Sequence, residues 1–121
     1  MTDHQTIVEA FMQRIGLPGK ARTNPAVFNL EGLGQLSLET REEKADIMMS
    51  LAVPLPPFEE ERLLAALRLC HPDRARAFPL ACGAHRDHLL FMSRQRQASM
   101  TAATLENQAI FLIDSAKAAG F

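Results

Sequence analysis

Between Ala26 and Val53 apolar side chains recur at every second position through three successive stretches. Ala26, Phe28 and Leu30 alternate with Val27, Asn29 and Glu31. Leu36 and Leu38 alternate with Gln35, Ser37 and Glu39. Ile47, Met49, Leu51 and Val53 alternate with Asp46, Met48, Ser50 and Ala52. A period of two sends alternate residues to opposite faces of a sheet, so the spacing predicts three consecutive β-strands. The glycine-bearing segment Glu31-Gly32-Leu33-Gly34 reads as a hairpin turn, and Glu42-Glu43-Lys44 as a second, charged one. One face of such a meander is apolar and the other mixed, the pattern of an antiparallel sheet packed on one side. The rest of the chain must supply the cover.

Two helices and a helix-closed strand pair are available for it. Thr2 or Asp3 can cap a first helix running to about Gly16, with Ile7, Val8, Phe11, Met12 and Ile15 as its apolar stripe. Pro54, Pro56 and Pro57 stop the third strand, because none has a backbone donor. They lead into a second helix whose first turn holds Glu59, Glu60 and Glu61, placed to favour the helix dipole, and whose apolar side is Leu63, Leu64, Leu67 and Cys70. Pro72 to Arg76 reads as a turn or short helix. Phe78 to Ala84 and His88 to Ser93 read as two further strands around His85-Arg86-Asp87. Ser99 or Thr101 caps a last helix carrying Leu105, Ala109, Leu112, Ile113 and Ala116, closed by Gly120. The order is α-β-β-β-α-β-β-α. That is an α+β fold with a mostly antiparallel twisted sheet packed by helices.

Composition bounds the function. The 121 residues suit one domain spanning 1–121. No apolar run approaches the roughly 20 residues that a membrane span needs. The start Met-Thr-Asp-His-Gln-Thr has neither the basic residues nor the apolar run of a signal peptide. Cys70 and Cys82 do not make a disulfide framework, and reduced thiols in a cytosol are expected. The net charge of −1 makes no demand for nucleic acid or an anionic membrane, and all seven aromatics are Phe, which argues against a base-stacking platform. Charge is nonetheless divided. Eight acidic residues fall between Glu31 and Glu61, and seven arginines between Arg62 and Arg96. This makes either two solvated faces or a dipolar docking surface.

The motifs that could carry chemistry have plainer readings. His71-Pro72-Asp73 follows a leucine-rich helix and resembles the loop of J-domain co-chaperones. Those domains have a basic helix before the loop and a long helix after it, and here three glutamates open the helix. A turn built on Pro and Asp accounts for the same residues. Cys70, His71, Cys82, His85 and His88 cluster in sequence, but no Cys-x-x-Cys pairs them as zinc sites do. Gly32-Leu33-Gly34 precedes a strand, not a helix, so it is no phosphate loop. There is no Gly-x-Ser-x-Gly elbow. The sequence therefore indicates no enzyme, no metal and no cofactor, and leaves surface as the carrier of function. Met48, with Ser50, Ala52 and Val27 on one sheet face, and Leu90 and Met92 on a strand apolar on both sides, suit an adaptable contact surface.

The whole pattern resembles the class I type III secretion chaperones of the Tir-chaperone, CesT-like family. The resemblance is carried by the strand-turn-strand Phe28-Asn29-Leu30-Glu31-Gly32-Leu33-Gly34-Gln35-Leu36-Ser37-Leu38, by Leu63-Leu64-Ala65-Ala66-Leu67, by Asp87-His88-Leu89-Leu90-Phe91-Met92, and by a closing helix from Ser99 to Ala119. It implies a homodimer in a bacterial cytoplasm, without enzymatic activity, that binds the N-terminal segment of an effector in extended form and keeps it export-competent. The secretion-system ATPase is a further partner in that scheme. Carried over by element, client binding falls to Ile7, Val8, Phe11, Val27, Met48, Leu90 and Met92. Self-association falls to Leu63, Leu64, Leu67, Phe78 and Leu80. The family is usually strongly acidic, whereas this chain is nearly neutral with an arginine-rich second half. A J-domain-like co-chaperone and an unrelated α+β adaptor are the alternatives.

Overall fold

The computed structural model describes residues 4–16, 25–71 and 78–121. The order is α1 (His4–Arg14), β1 (Ala26–Leu30), β2 (Gly34–Arg41), β3 (Asp46–Pro54), α2 (Glu60–Leu69), β4 (Ala81–His85), β5 (His88–Arg96) and α3 (Ala102–Ala118). Single 3-10 turns at Glu42–Lys44 and Gln97–Ser99 complete the described elements. The five strands form one sheet in the order β1-β2-β3-β5-β4, antiparallel at every pairing. This is the α+β order expected from the sequence. The position of β5 between β3 and β4 is new: the chain leaves β3, crosses through α2 to the far edge, and returns to pair with β3.

The alternation in the meander decides what is buried. Leu36, Leu38, Ile47, Met49, Leu51 and Val53 point to one face and are buried there with Leu89 and Phe91 of β5. Helices cover this face. Val8, Phe11 and Met12 of α1, Ala66 of α2, and Leu105, Ala109, Leu112 and Ala116 of α3 belong to the same core cluster. Each large side chain taken from water contributes about 1.5–3 kcal/mol, which sets the sheet's orientation toward the helices. Within this core Gln108 is fully buried yet satisfied. Its amide donates to Ser93 Oγ at 2.9 Å, and its carbonyl accepts from Gln95 Nε2 at 2.7 Å.

Several boundaries differ from the sequence expectation. β4 starts at Ala81, not Phe78. Pro79 has no N–H for the ladder, and Phe78 packs its ring against Phe111 at 5.6 Å instead. β5 runs on to Arg96, three residues beyond the expected Ser93, because β3 offers a partner along that length, with Met48 opposite Arg94 and Asp46 opposite Arg96. The cap of α3 agrees with the expectation of Ser99 or Thr101, and Thr101 is the one that serves. Its hydroxyl accepts from the Thr104 backbone while the Thr104 hydroxyl accepts from the Thr101 backbone. Ser99 ends the preceding 3-10 turn. The expected cap at Thr2 or Asp3 and the turn at Pro72 to Arg76 lie outside the described residues.

The hairpin glycine at position 34 has a structural reason. A Cβ there would meet the Ala52 carbonyl oxygen at 2.1 Å, a backbone atom held in the ladder. Gly34→Ala is therefore expected to destabilise the fold by about 1–3 kcal/mol. The measurement is urea unfolding, with a lower midpoint and an unchanged slope.

Candidate interaction surfaces

The face of the sheet away from the helices carries the residues that alternate with the core. In register across the strands run Val27, Ser37, Ser50, Met92 and Ala81; beside them run Asn29, Gln35, Ala52, Leu90 and Gly83, and then Glu39, Met48 and Arg94. None of these residues is fully buried, and Val27 is 48 % exposed. The face is low in relief because serines, alanines and a glycine separate the larger side chains. Toward the β4 end it deepens into a groove of about 320 Å³ lined by Met48, Met92, Pro79, Leu80, Ala81, Ser93, Arg41 and Arg94. Two flexible thioethers and two guanidinium groups make this an apolar slot with a basic rim.

One corner of that rim is fixed. Arg41 Nε donates to Asp46 Oδ1 at 2.7 Å and its Nη2 donates to Oδ2 at 2.5 Å, a two-pronged pair between neighbouring strands. Asp46 is buried. The hydrogen bonds from Arg41 hold its carboxyl below the usual carboxylate range, outweighing burial, and the charges of Arg41, Arg94 and Lys44 act in the same direction. Arg41 is thereby committed to the sheet, and Arg94 is the more available cation on the groove.

A second surface lies on α2. Leu64 is 51 % and Leu67 46 % exposed, three residues apart on one side of the helix, while Ala66 faces the core. Phe58 stands at the start of this helix, almost wholly exposed and with a left-handed backbone of φ +68°. That conformation costs a non-glycine residue roughly 1–2 kcal/mol. Nothing in the alternation or helical spacing singles out Phe58; the only local signal is the Pro56-Pro57 pair before it.

The structure divides the sequence-derived residues differently from the expectation. Val27, Met48, Leu90 and Met92 share the open sheet face. Val8 and Phe11 do not join them, because both are buried where α1 packs, on the opposite side of the sheet, and Ile7 is packed against that core. The first helix and the open face thus make two separate surfaces. On the self-association side, Leu64 and Leu67 are exposed. Leu80 is buried, Leu63 packs against the core and Phe78 is held by Phe111. Periodicity marks a helix as apolar on one side, but both sides of α2 carry leucines, so only the packing tells them apart.

The remaining motifs are also placed. Among the described residues no three His, Cys, Asp or Glu side chains come together as a metal ion would need. Cys70 and Cys82 are neighbours, with their sulfurs 2.9 Å apart, while exposed His85 and His88 face each other across the β4–β5 turn. Pro72 and Asp73 of the J-domain-like tripeptide lie outside the described residues. After His71 the chain soon enters β4 at Ala81, where a J-domain has its long helix.

Among the described residues three helices cover one side of the five-stranded sheet and none covers the other. Residues 4–118 match the family model described as type III secretory system chaperone SycN, and the chain belongs to that family. No curated protein sequence matches it. Its fold is similar to a chain of the Yersinia pestis type III secretion chaperone SycH in complex with a stable fragment of YscM2, with a TM-score of 0.70 and 16% identity over 95% of this chain and 98% of that one. The ExsC–ExsE complex gives a TM-score of 0.70 and 19% identity over 96% and 92%. The heterodimeric ExoU–SpcU complex from the type III secretion system of Pseudomonas aeruginosa gives 0.65 and 15% over 91% and 92%. At such identities the likeness is one of fold.

The Arg41–Asp46 pair has a pH signature. Because the folded carboxyl lies below its ordinary value of about 3.9, the pair stabilises the fold fully above that value and the contribution is lost as pH falls through the folded value. The stability gap between the wild type and Asp46→Asn, read from urea midpoints, is expected to be widest near neutral pH and to narrow from roughly pH 4 downward. A gap that stays constant with pH would count against a charged Asp46.

Proposed function

We propose that this type III secretion chaperone works as a homodimer in the bacterial cytoplasm, where it holds the N-terminal segment of a secreted effector in extended form and keeps it export-competent. The observation that carries the reading is the open sheet face. Val27, Met48, Leu90 and Met92 lie there on a shallow surface that no described helix covers. An extended segment places alternate side chains on one face, so it can set every second side chain onto such a surface. Among the described residues β1 pairs only with β2, so an added strand has an edge to meet. Support also comes from the fold relatives, whose complexes hold YscM2, ExsE and ExoU. Ile7 on α1 is the remaining contact on the helical side; Val8 and Phe11 serve the core. The reading includes no enzymatic activity and no cofactor, and takes the secretion-system ATPase as the receptor for delivery.

For self-association the reading uses α2. Leu64 and Leu67 form a short apolar ridge, with Glu60 and Glu61 at the first turn and Arg68 at the last. Two copies of α2 crossing antiparallel about a two-fold axis would set the acidic end of each beside the basic end of the other. Leucine burial would then supply the affinity and charge the orientation.

Two measurements test this. Replacing Met48 and Met92 together by Asp should leave the circular dichroism spectrum intact and weaken effector capture at least tenfold, about 1.4 kcal/mol or more. Replacing Leu64 and Leu67 by Glu should lower the mass seen by light scattering from dimer to monomer. A wild-type chain that is monomeric, and that co-purifies with no secreted protein from secretion-competent cells, would sink the proposal.

A further inference from the structure

The cysteines are a feature that client binding does not use. Cys70 caps the C-terminal end of α2, and Cys82 lies in edge strand β4, opposite Phe91. Their sulfurs are 2.9 Å apart, and both thiols reach the same acceptor, the Ala66 carbonyl, at 3.5 and 3.6 Å. Each is partly buried, so a small reagent can reach the pair while a second protein cannot easily come between them. The two sulfurs approach from different elements and already point at each other. A bond between them needs a short side-chain adjustment and no rearrangement of the fold.

We propose that Cys70 and Cys82 are a reversible thiol modification site, closing to an intramolecular disulfide that fastens the end of α2 to β4 when a hydroperoxide or a similar two-electron oxidant is present. Burial pushes the Cys82 thiol up, and its contact with Cys70 adds to the effect. Oxidation then begins at Cys70, with Cys82 as the resolving thiol. With hydrogen peroxide, the Cys70 thiolate attacks one peroxide oxygen, the O–O bond breaks, and hydroxide leaves, giving a sulfenic acid. Cys82 then loses its proton to solvent and its sulfur attacks the Cys70 sulfur. The S–S bond forms as the S–O bond breaks, and the leaving hydroxide takes up a proton. Two thiols and one peroxide become one disulfide and two waters. A low-molecular-weight dithiol reverses the change. The closed loop runs from the end of α2 into β4, so the helix that carries Leu64 and Leu67 becomes tied covalently to the sheet. Closure also removes conformational freedom from the unfolded chain.

The test uses the full chain as it folds, treated with hydrogen peroxide, quenched by alkylation without reductant, digested and weighed. The expected result is a linked Cys70–Cys82 peptide pair on a chain that stays single on a non-reducing gel, with a raised melting temperature that dithiothreitol reverses. Cys82→Ser should abolish the linked pair and leave Cys70 open to a sulfenic-acid probe. Two freely alkylated cysteines after oxidation, or a linkage between chains, would overturn the proposal. Neither outcome depends on whether the chain binds an effector.

Discussion

β3 holds the molecule together. It pairs with β5 from Asp46 to Pro54 and with β2 from Asp46 to Ala52, so nearly all of its backbone donors and acceptors are satisfied on both sides. Its inward residues Ile47, Met49, Leu51 and Val53 are entirely removed from water against α3 and the neighbouring strands. Because the side-chain period is two, a slip of one residue would turn these four outward and put Met48, Ser50 and Ala52 into the core. The difference in burial between the two sets fixes the register. That register in turn places Arg94 beside Met48 and Arg41 beside Asp46. The open face and its basic rim are therefore consequences of core packing on the other side of the same strand.

The two faces meet different physical demands. The helix-covered face holds branched and aromatic side chains packed to exclude water. The open face mixes Met48, Leu90 and Met92 with serines, alanines and glycine, and is bordered by Asn29, Gln35, Glu39 and Arg94. Methionine adapts its shape to varied neighbours, and small residues let an extended chain come close. The polar border limits the size of any continuous apolar patch on this face.

Two polar contacts orient the elements that hydrophobic burial only brings together. Gln108 on α3, bonded to both Ser93 and Gln95, ties the closing helix to one stretch of β5. A rotated or shifted α3 would leave a buried amide unpaired, at about 1–3 kcal/mol. Arg41 and Asp46 join the ends of β2 and β3 across the charged turn. A sliding apolar interface tolerates several arrangements, whereas these contacts are met in one.

The sequence by itself determined the order of the elements, the inward set of the meander and the resemblance that led to the chaperone family. Each depends on local periodicity, on proline and glycine chemistry, or on apolar patterns along contiguous stretches, and such signals survive without knowledge of distant neighbours. The packing assigned what periodicity left open. Val8 and Phe11 look like any apolar stripe, yet α3 buries them; Leu64 and Leu67 look like core leucines, yet they remain outside. The insertion of β5 between β3 and β4 and the extension of β5 to Arg96 join residues far apart in the chain, and the meeting of Cys70 with Cys82 joins a helix end to a strand. Their cause is the competition of strands and helices for the same faces, which is settled only when the whole chain folds.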